Sequence, residues 1–386
     1  MQPPWTKNVD YATKPIFVCW ETTKSCLLSC RHCRAMAIRS SLPGELDTGA
    51  GMQLIDQLVE FGEPYPALLL TGGDPLMRPD VFELLGHAKD QGIYTAVAAS
   101  VTPLLTREKI ERMRDLGVEI MSVSMDGATP ELHDRIRDIP GTWKATLEAV
   151  ETAADCGLRL QVNTTVMKSN LRGLADIFHL ARQRGAVAWE VFFLIRTGRG
   201  SALENPEPGE CEQVAHFLYD AAAYGVPVRT SEGPHFRRVF LQRRSGAPAP
   251  RDELYRHLSG RLRDLAGEAG GAPALRLNAT GDGKGIIFIA HDGEVYPSGF
   301  FPWSLGNVKE TPLKSIYTTH PLLLGLRNPA LLTGRCGACE HKTICGGSRS
   351  RAYAEYSDPY GEDPACPYIP AALATAAGPL QSPGAR

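Results

Sequence analysis

Between Lys14 and about Gly200 the chain alternates apolar, strand-like runs with amphipathic helical stretches, and this alternation restricts the fold more than any other feature. IFVCWE, ALLLTGG, YTAVAAS, EIMSVSM, RLQVNTTV and AWEVFFLI read as six strands. Helical segments such as TGAGMQLIDQLVEFG, PDVFELLGHAKDQG, TREKIERMRDLG and LRGLADIFHLARQRG separate them, each ending in a glycine suited to stop a helix. Repeated strand–helix order implies parallel strands joined by crossover helices. Such units close into a barrel or stay open as a doubly wound sheet, and in both the functional groups gather at the carboxyl ends of the strands.

The run CLLSCRHC, residues 26–33, follows the first strand and therefore falls where a site is expected. The start, MQPPWTKNVDYATKP, lacks the apolar core of a signal peptide, and no apolar run approaches the roughly 20 residues needed to span a bilayer. With a net charge of -2, no global field favours nucleic acid or an anionic membrane. The reading is a cytoplasmic protein without membrane or nucleic-acid partners. In a reducing compartment its ten cysteines argue for metal or catalytic thiolates rather than a disulfide framework. They form two sets, Cys26, Cys30 and Cys33 near one end and Cys336, Cys339, Cys345 and Cys366 near the other. Cys19, Cys156 and Cys211 stand alone and read as buried small hydrophobes.

Four thiolates saturate a tetrahedral zinc or supply every iron of a [4Fe-4S] cube; three do neither. One reading completes a structural zinc site with His32, which is badly placed between Cys30 and Cys33 to reach the same metal. The other leaves one iron of a cube open to an exogenous ligand.

The Cys-x3-Cys-x2-Cys spacing after a first strand resembles the radical S-adenosylmethionine (radical SAM) superfamily. The resemblance implies a partial (β/α)6 TIM-type barrel. It also implies a [4Fe-4S] cluster on Cys26, Cys30 and Cys33 whose open iron is chelated by the amino and carboxylate groups of SAM. Reductive cleavage then gives a 5′-deoxyadenosyl radical that abstracts hydrogen from substrate, with a reducing donor such as flavodoxin or ferredoxin as partner. His32 stands where the family places an aromatic near the adenine. Thr71-Gly72-Gly73-Asp74-Pro75 resembles the family's Gly-Gly-Glu segment, with Asp74 in place of Glu, and Gly72 and Gly73 would let backbone approach the SAM amine. Ser122-Val123-Ser124-Met125-Asp126-Gly127 resembles the ribose-binding strand end, through Ser124 and Asp126. Ser100, Asn163 and Arg196 are further SAM-contact candidates, and Arg196 and Arg199 suit a carboxylate. Each is also readable as an ordinary turn, strand-end or surface residue.

Beyond Gly200, the segments GECEQVAHFLYDAAAYG and DELYRHLSGRLRDLAG, set between SGAPAP and GEAGGAPA, read as a helical linker over 201–275. GIIFIAHDGEVYPSG reads as a hairpin turning at Asp292-Gly293, with His291 and Asp292 able to approach a substrate. The spacing Cys336-x2-Cys339-x5-Cys345 followed by Cys366 fits either a four-cysteine zinc site or a closed cluster. The stretch around it resembles the C-terminal auxiliary-cluster domain called SPASM, or its shorter form twitch, and most of all that of the tetrapyrrole-acting members of heme and heme d1 formation. This α+β domain is expected over 276–370, after a barrel over 14–200. Ser298 occupies a place where cysteine is frequent in SPASM proteins, so one auxiliary [4Fe-4S] cluster is expected. Residues 371–386, rich in small residues and Pro, read as a disordered tail.

The expected function is a radical SAM enzyme that oxidises or decarboxylates a tetrapyrrole side chain. Pro234-His235-Phe236-Arg237-Arg238 is a candidate meeting point for propionates. Maturation of a ribosomal peptide is the alternative, disfavoured because only about thirteen residues precede the first strand. A non-catalytic iron-sulfur electron carrier is the rival from another class.

Overall fold

The computed structural model describes residues 9–273 and 279–374. All six expected strands form: β1 (Phe17–Glu21), β2 (Ala67–Thr71), β3 (Thr95–Ala98), β4 (Val118–Ser124), β5 (Leu160–Val166) and β6 (Ala188–Phe193). They run parallel in sequence order, with α1 (Thr48–Val59), α2 (Val81–Asp90), α3 (Arg107–Asp115), α4 (Pro130–Arg137), α5 (Thr142–Asp155) and α6 (Leu174–Gln183) as crossovers. The result is the partial barrel expected.

Alternation along the strands explains the barrel's two faces, because successive side chains point to opposite sides. Leu70, Val97, Val123, Val162 and Val191 are fully or almost fully buried in the core against the helices. Their neighbours Thr71, Ala98, Ser122, Ser124, Asn163 and Phe192 line an inner cavity.

The sheet is larger than the sequence indicates. Residues 201–275 contribute β7 (Val228–Ser231), parallel to β6, so the expected helical linker is an integral part of the barrel. Four residues, VRTS, carry too little apolar signal to read as a strand. Around it lie α7 (Pro208–Ala221), α8 (His235–Arg244) and α9 (Glu253–Ala266), the last burying Leu254, Leu258 and Leu262 along one stripe. At the opposite edge β8 (Ile286–Ile289) pairs parallel with β1, and β9 (Val295–Tyr296) returns antiparallel around the expected turn at Asp292-Gly293. Among the described residues nine strands run in the order β7-β6-β5-β4-β3-β2-β1-β8-β9.

The C-terminal part adds α10 (Leu313–Thr319), α11 (Pro321–Leu326), α12 (Gly334–Ala338) and α13 (Arg349–Tyr356). Ala371–Ala374 form a short helix, in contrast to the disorder expected from Ala371 onward. Residues 375–386 of that tail, residues 274–275 at the end of the expected linker and residues 276–278 at the start of the expected C-terminal domain lie outside the described residues. Among the described residues no helix is long and apolar enough to cross a membrane.

Candidate active site and second cysteine centre

The cysteine loop leaves β1 and is tied down at both ends, with Ile38 N donating to Lys24 O at 3.0 Å and Cys26 N to Ile38 O at 2.7 Å. Cys26, Cys30 and Cys33 all face one cavity of about 230 Å³ at the carboxyl ends of the strands. The sulfurs meet hydrogen-bonding groups: Leu28 N donates to Cys26 Sγ at 3.4 Å, Ser100 Oγ lies 3.5 Å from the same sulfur, and Arg137 donates to Cys30 Sγ at 3.5 Å. Such donors favour charged sulfur.

Gly72 and Gly73 explain how β2 comes so close. A Cβ on Gly73 would sit 2.2 Å from Ser25 O, and one on Gly72, where φ is +148°, 2.5 Å from Thr23 O. Gly73 N and Asp74 N instead donate to Thr23 O and Ser25 O, each at 2.7 Å. The glycines therefore seat the base of the cysteine loop while also lining the cavity. Ser100 donates to Gly73 O at 3.0 Å and lines the cavity together with Ser124 and Asn163. Ser122, Thr165, Phe192 and Phe300 join them. Ser122 and Thr165 stand two residues from Ser124 and Asn163, so the strand period marks them; Phe300 arrives from the hairpin region, and no local signal identifies it.

Four expected contacts are redirected. The Asp74 carboxylate is fully buried outside the cavity lining, accepting from Leu76 N, Ser100 N and Thr102 Oγ1 at 3.2 to 3.4 Å. Asp126 is also fully buried and is committed to protein: Thr165 N donates to it at 2.7 Å, Arg137 forms an ion pair with it, and His32 Nε2 lies 3.5 Å away. Burial works to raise its pKa, but the Arg137 charge and the bond from Thr165 N outweigh that and hold it below the usual carboxylate range. Arg196 is exposed, bonded to Ser201 O and absent from the lining. Arg199 does line the cavity, but it clamps the cysteine loop through Cys30 O at 2.9 Å and Ala37 O at 3.0 Å, leaving Nη2 buried without a partner.

His32 lines the cavity with Nε2 toward Asp126 rather than toward a shared metal, and burial lowers its pKa to about 4. Cys156 and Cys211 are buried as expected, while Cys19 is half-buried on β1.

Cys336, Cys339, Cys345 and Cys366 line a second, much smaller cavity of about 30 Å³. Asp363 N and Arg349 donate to Cys336 Sγ at 3.3 and 3.7 Å, His341 N to Cys339 Sγ at 3.4 Å, and Arg238 to Cys366 Sγ at 3.8 Å. Burial pushes the Cys345 thiol up to about 12, so a deprotonated sulfur there needs a cation in the proton's place. Among the described residues no three Cys, His, Asp or Glu side chains converge tightly enough to hold one metal ion. Both sets offer cysteine sulfur, three residues in one cavity and four in the other, which is the donor chemistry of a [4Fe-4S] cluster.

The basic start of α8 lies at this second centre, with His235 and Arg238 lining its cavity, and is absent from the lining of the barrel cavity. Arg238 pairs with Glu212 and stacks 4.5 Å over Tyr368; Arg237 donates to Ile344 O and Thr280 O at 3.2 and 2.5 Å; His235 packs 4.8 Å from Phe193. Asp292 accepts from Glu294 N within its turn, while His291 Nδ1 lies 3.5 Å from buried Glu21.

Residues 20–181 match the family described as the Radical SAM superfamily. The chain is 36% identical over 357 residues to the AdoMet-dependent heme synthase of Methanosarcina barkeri, spanning 92% of this chain and 97% of that protein. It is 28% identical over 371 residues to the pre-heme d1 synthase of Dinoroseobacter shibae, covering 93% and 87% of the two chains. Among solved structures, Streptococcus suis SuiB bound to S-adenosylmethionine superposes with a TM-score of 0.66 at 14% identity, over 92% of this chain and 78% of that one.

Proposed function

Because this chain belongs to the radical SAM superfamily, we propose that it oxidatively modifies a tetrapyrrole side chain, with decarboxylation of a propionate as the specific reaction. Membership makes the chain an enzyme and removes the reading as a non-catalytic electron carrier. A [4Fe-4S] cluster and SAM are the family's cofactors, and when bound they supply radical chemistry that removes a hydrogen atom from an unactivated carbon.

The chain's own residues supply the setting. Cys26, Cys30 and Cys33 would hold the cluster, with Arg137, Ser100 and Leu28 N placed to stabilise charge on the sulfurs. Ser122, Ser124, Asn163 and Thr165 offer hydroxyl and amide groups to the polar parts of SAM. Phe192 and Phe300, with ring centres 6.4 Å apart, form an apolar wall suited to a flat macrocycle and to excluding water. Cys336, Cys339, Cys345 and Cys366 would close a second cluster completely, which assigns it to electron transfer or structural support. Electrons for the reaction come from a reducing donor such as flavodoxin or ferredoxin, and the protein acts in the cytoplasm.

The observation that carries the substrate class is the end-to-end likeness to the heme synthase. The test is anaerobic reconstitution, reduction with dithionite, and incubation with SAM and a porphyrin carrying propionates. Formation of 5′-deoxyadenosine together with a porphyrin that has lost a carboxyl group is expected. A fully reconstituted, reduced sample that leaves SAM intact overturns the radical reading. Conversion of a peptide, with porphyrin untouched, replaces the substrate class.

A further inference from the structure

Three arginines line the main cavity, Arg34, Arg137 and Arg199, and they differ in what their guanidinium groups already hold. Arg137 is committed to Asp126 and Cys30. Arg199 is held by the carbonyls of Cys30 and Ala37 through Nε and Nη1, so only its buried Nη2 lacks a partner. Arg34 has one ionic partner, Glu21, at 2.9 Å, and no other hydrogen bond or ion pair among the described residues. A guanidinium carries five N–H donors in a planar fork, so most of those on Arg34 remain unspent.

The position of Arg34 is built rather than incidental. Its guanidinium stacks 4.5 Å from the centre of Phe288 on β8. Gly299 leaves the room for it, since a Cβ there would lie 3.1 Å from Arg34 Nε and 3.1 Å from the Phe288 ring. Glu21, at the end of β1 and only 2% exposed, supplies the countercharge, and its other oxygen faces His291 Nδ1 at 3.5 Å. A cation held by stacking and by a buried carboxylate thus lines the cavity with N–H donors to spare. Sheet order places its partners at β1 and β8, whereas the hydroxyl and amide groups of Ser122, Ser124, Asn163 and Thr165 come from β4 and β5, separated by β2 and β3. Phe300, one residue beyond Gly299, carries the aromatic wall to the same side.

We infer that Arg34 is a specificity-determining residue that binds a carboxylate of the substrate, with Glu21 as its positioning partner. The inference rests on the tetrapyrrole reading and deepens it: a planar ring lies against Phe192 and Phe300 while an acidic side chain reaches the Arg34 fork. Charge-assisted, bidentate bonds make this contact sensitive to the carboxylate itself and not only to the ring.

The experiment titrates reconstituted protein anaerobically with coproporphyrin III, a tetrapropionate, and with its tetramethyl ester, following porphyrin absorbance; SAM binding is measured separately by equilibrium dialysis. Wild type is expected to prefer the acid. Arg34→Ala should weaken acid binding roughly 10- to 100-fold while ester and SAM binding stay at wild-type levels. Arg34→Lys, which keeps the charge but lacks the fork, should fall between them and carries the test if the alanine variant does not fold. Glu21→Gln should lower the acid-to-ester preference without changing ester binding, a selectivity that general loss of structure does not produce. Equal acid binding by wild type and Arg34→Ala overturns the inference and leaves the tetrapyrrole reading standing. Loss of SAM binding in Arg34→Ala overturns it by assigning the fork to the SAM carboxylate. A wild type that binds SAM but neither porphyrin overturns the tetrapyrrole reading, and the substrate role of Arg34 with it.

Discussion

Asp126 and Arg137 form a buried ion pair, and the same guanidinium reaches Cys30 Sγ at 3.5 Å. The carboxylate that resembles a ribose ligand in the sequence thus acts through an arginine on the cysteine loop. Asp126→Asn leaves the Arg137 charge buried and unpaired, which is expected to cost about 3 to 5 kcal/mol. Denaturant unfolding of the cluster-free protein measures this. Adding Arg137→Met should restore most of the loss, and a double variant no more stable than Asp126→Asn contradicts the pairing.

Two glycine substitutions separate close approach from backbone strain. Gly73→Ala drives a methyl group into Ser25 O and should destabilise the fold by about 3 kcal/mol, with less iron retained after reconstitution. Gly44→Ala, at φ +88° with nothing within 4 Å, should cost only about 1 kcal/mol and leave iron content unchanged. Equal effects of the two would argue against packing of β2 on the cysteine loop.

Iron stoichiometry tests the number of clusters. Full reconstitution should give about eight irons per chain. Removing Cys30 or Cys345 by alanine substitution should each halve that figure. A wild-type content well above eight contradicts the expectation, drawn from Ser298, of one auxiliary cluster.

Acid sensitivity follows from Asp80. Arg78 donates to both Asp80 oxygens, at 2.9 and 2.6 Å, and Thr48 Oγ1 donates at 2.8 Å, while Arg78 also binds Thr22 O and Leu46 O beside the cysteine loop. Burial opposes ionisation, but these bonds and the Arg78 charge hold the Asp80 pKa below the ordinary carboxylate value. A pKa depressed in the folded state means stability that is fully present above the unfolded value, about 3.9, and lost as pH falls through the folded one. Asp80→Asn should therefore be less stable than wild type at pH 7, by about 1 kcal/mol. The gap should narrow in urea melts as pH falls below the unfolded value of about 3.9. A difference that persists unchanged into acid would assign the effect to packing.

Local pattern alone determined the six parallel strands, their crossover helices and the three-thiolate run after β1, because apolar periodicity and cysteine spacing are properties of consecutive residues. The same period placed Ser124 and Asn163 on the inner face. Tertiary structure decided which polar groups remain available there. Asp74 and Asp126 are consumed by donors brought from Thr102, Arg137 and Thr165, and Arg199 is clamped by carbonyls of the cysteine loop, whereas Arg34 pairs with Glu21 and stacks on Phe288 alone among the described residues. Strand β7 and the pairing of β8 with β1 were equally beyond local reading, since short strands are stabilised by neighbours distant in the chain. Sequence spacing specifies where a charged group can stand, but the partners that satisfy or spare it are chosen by folding.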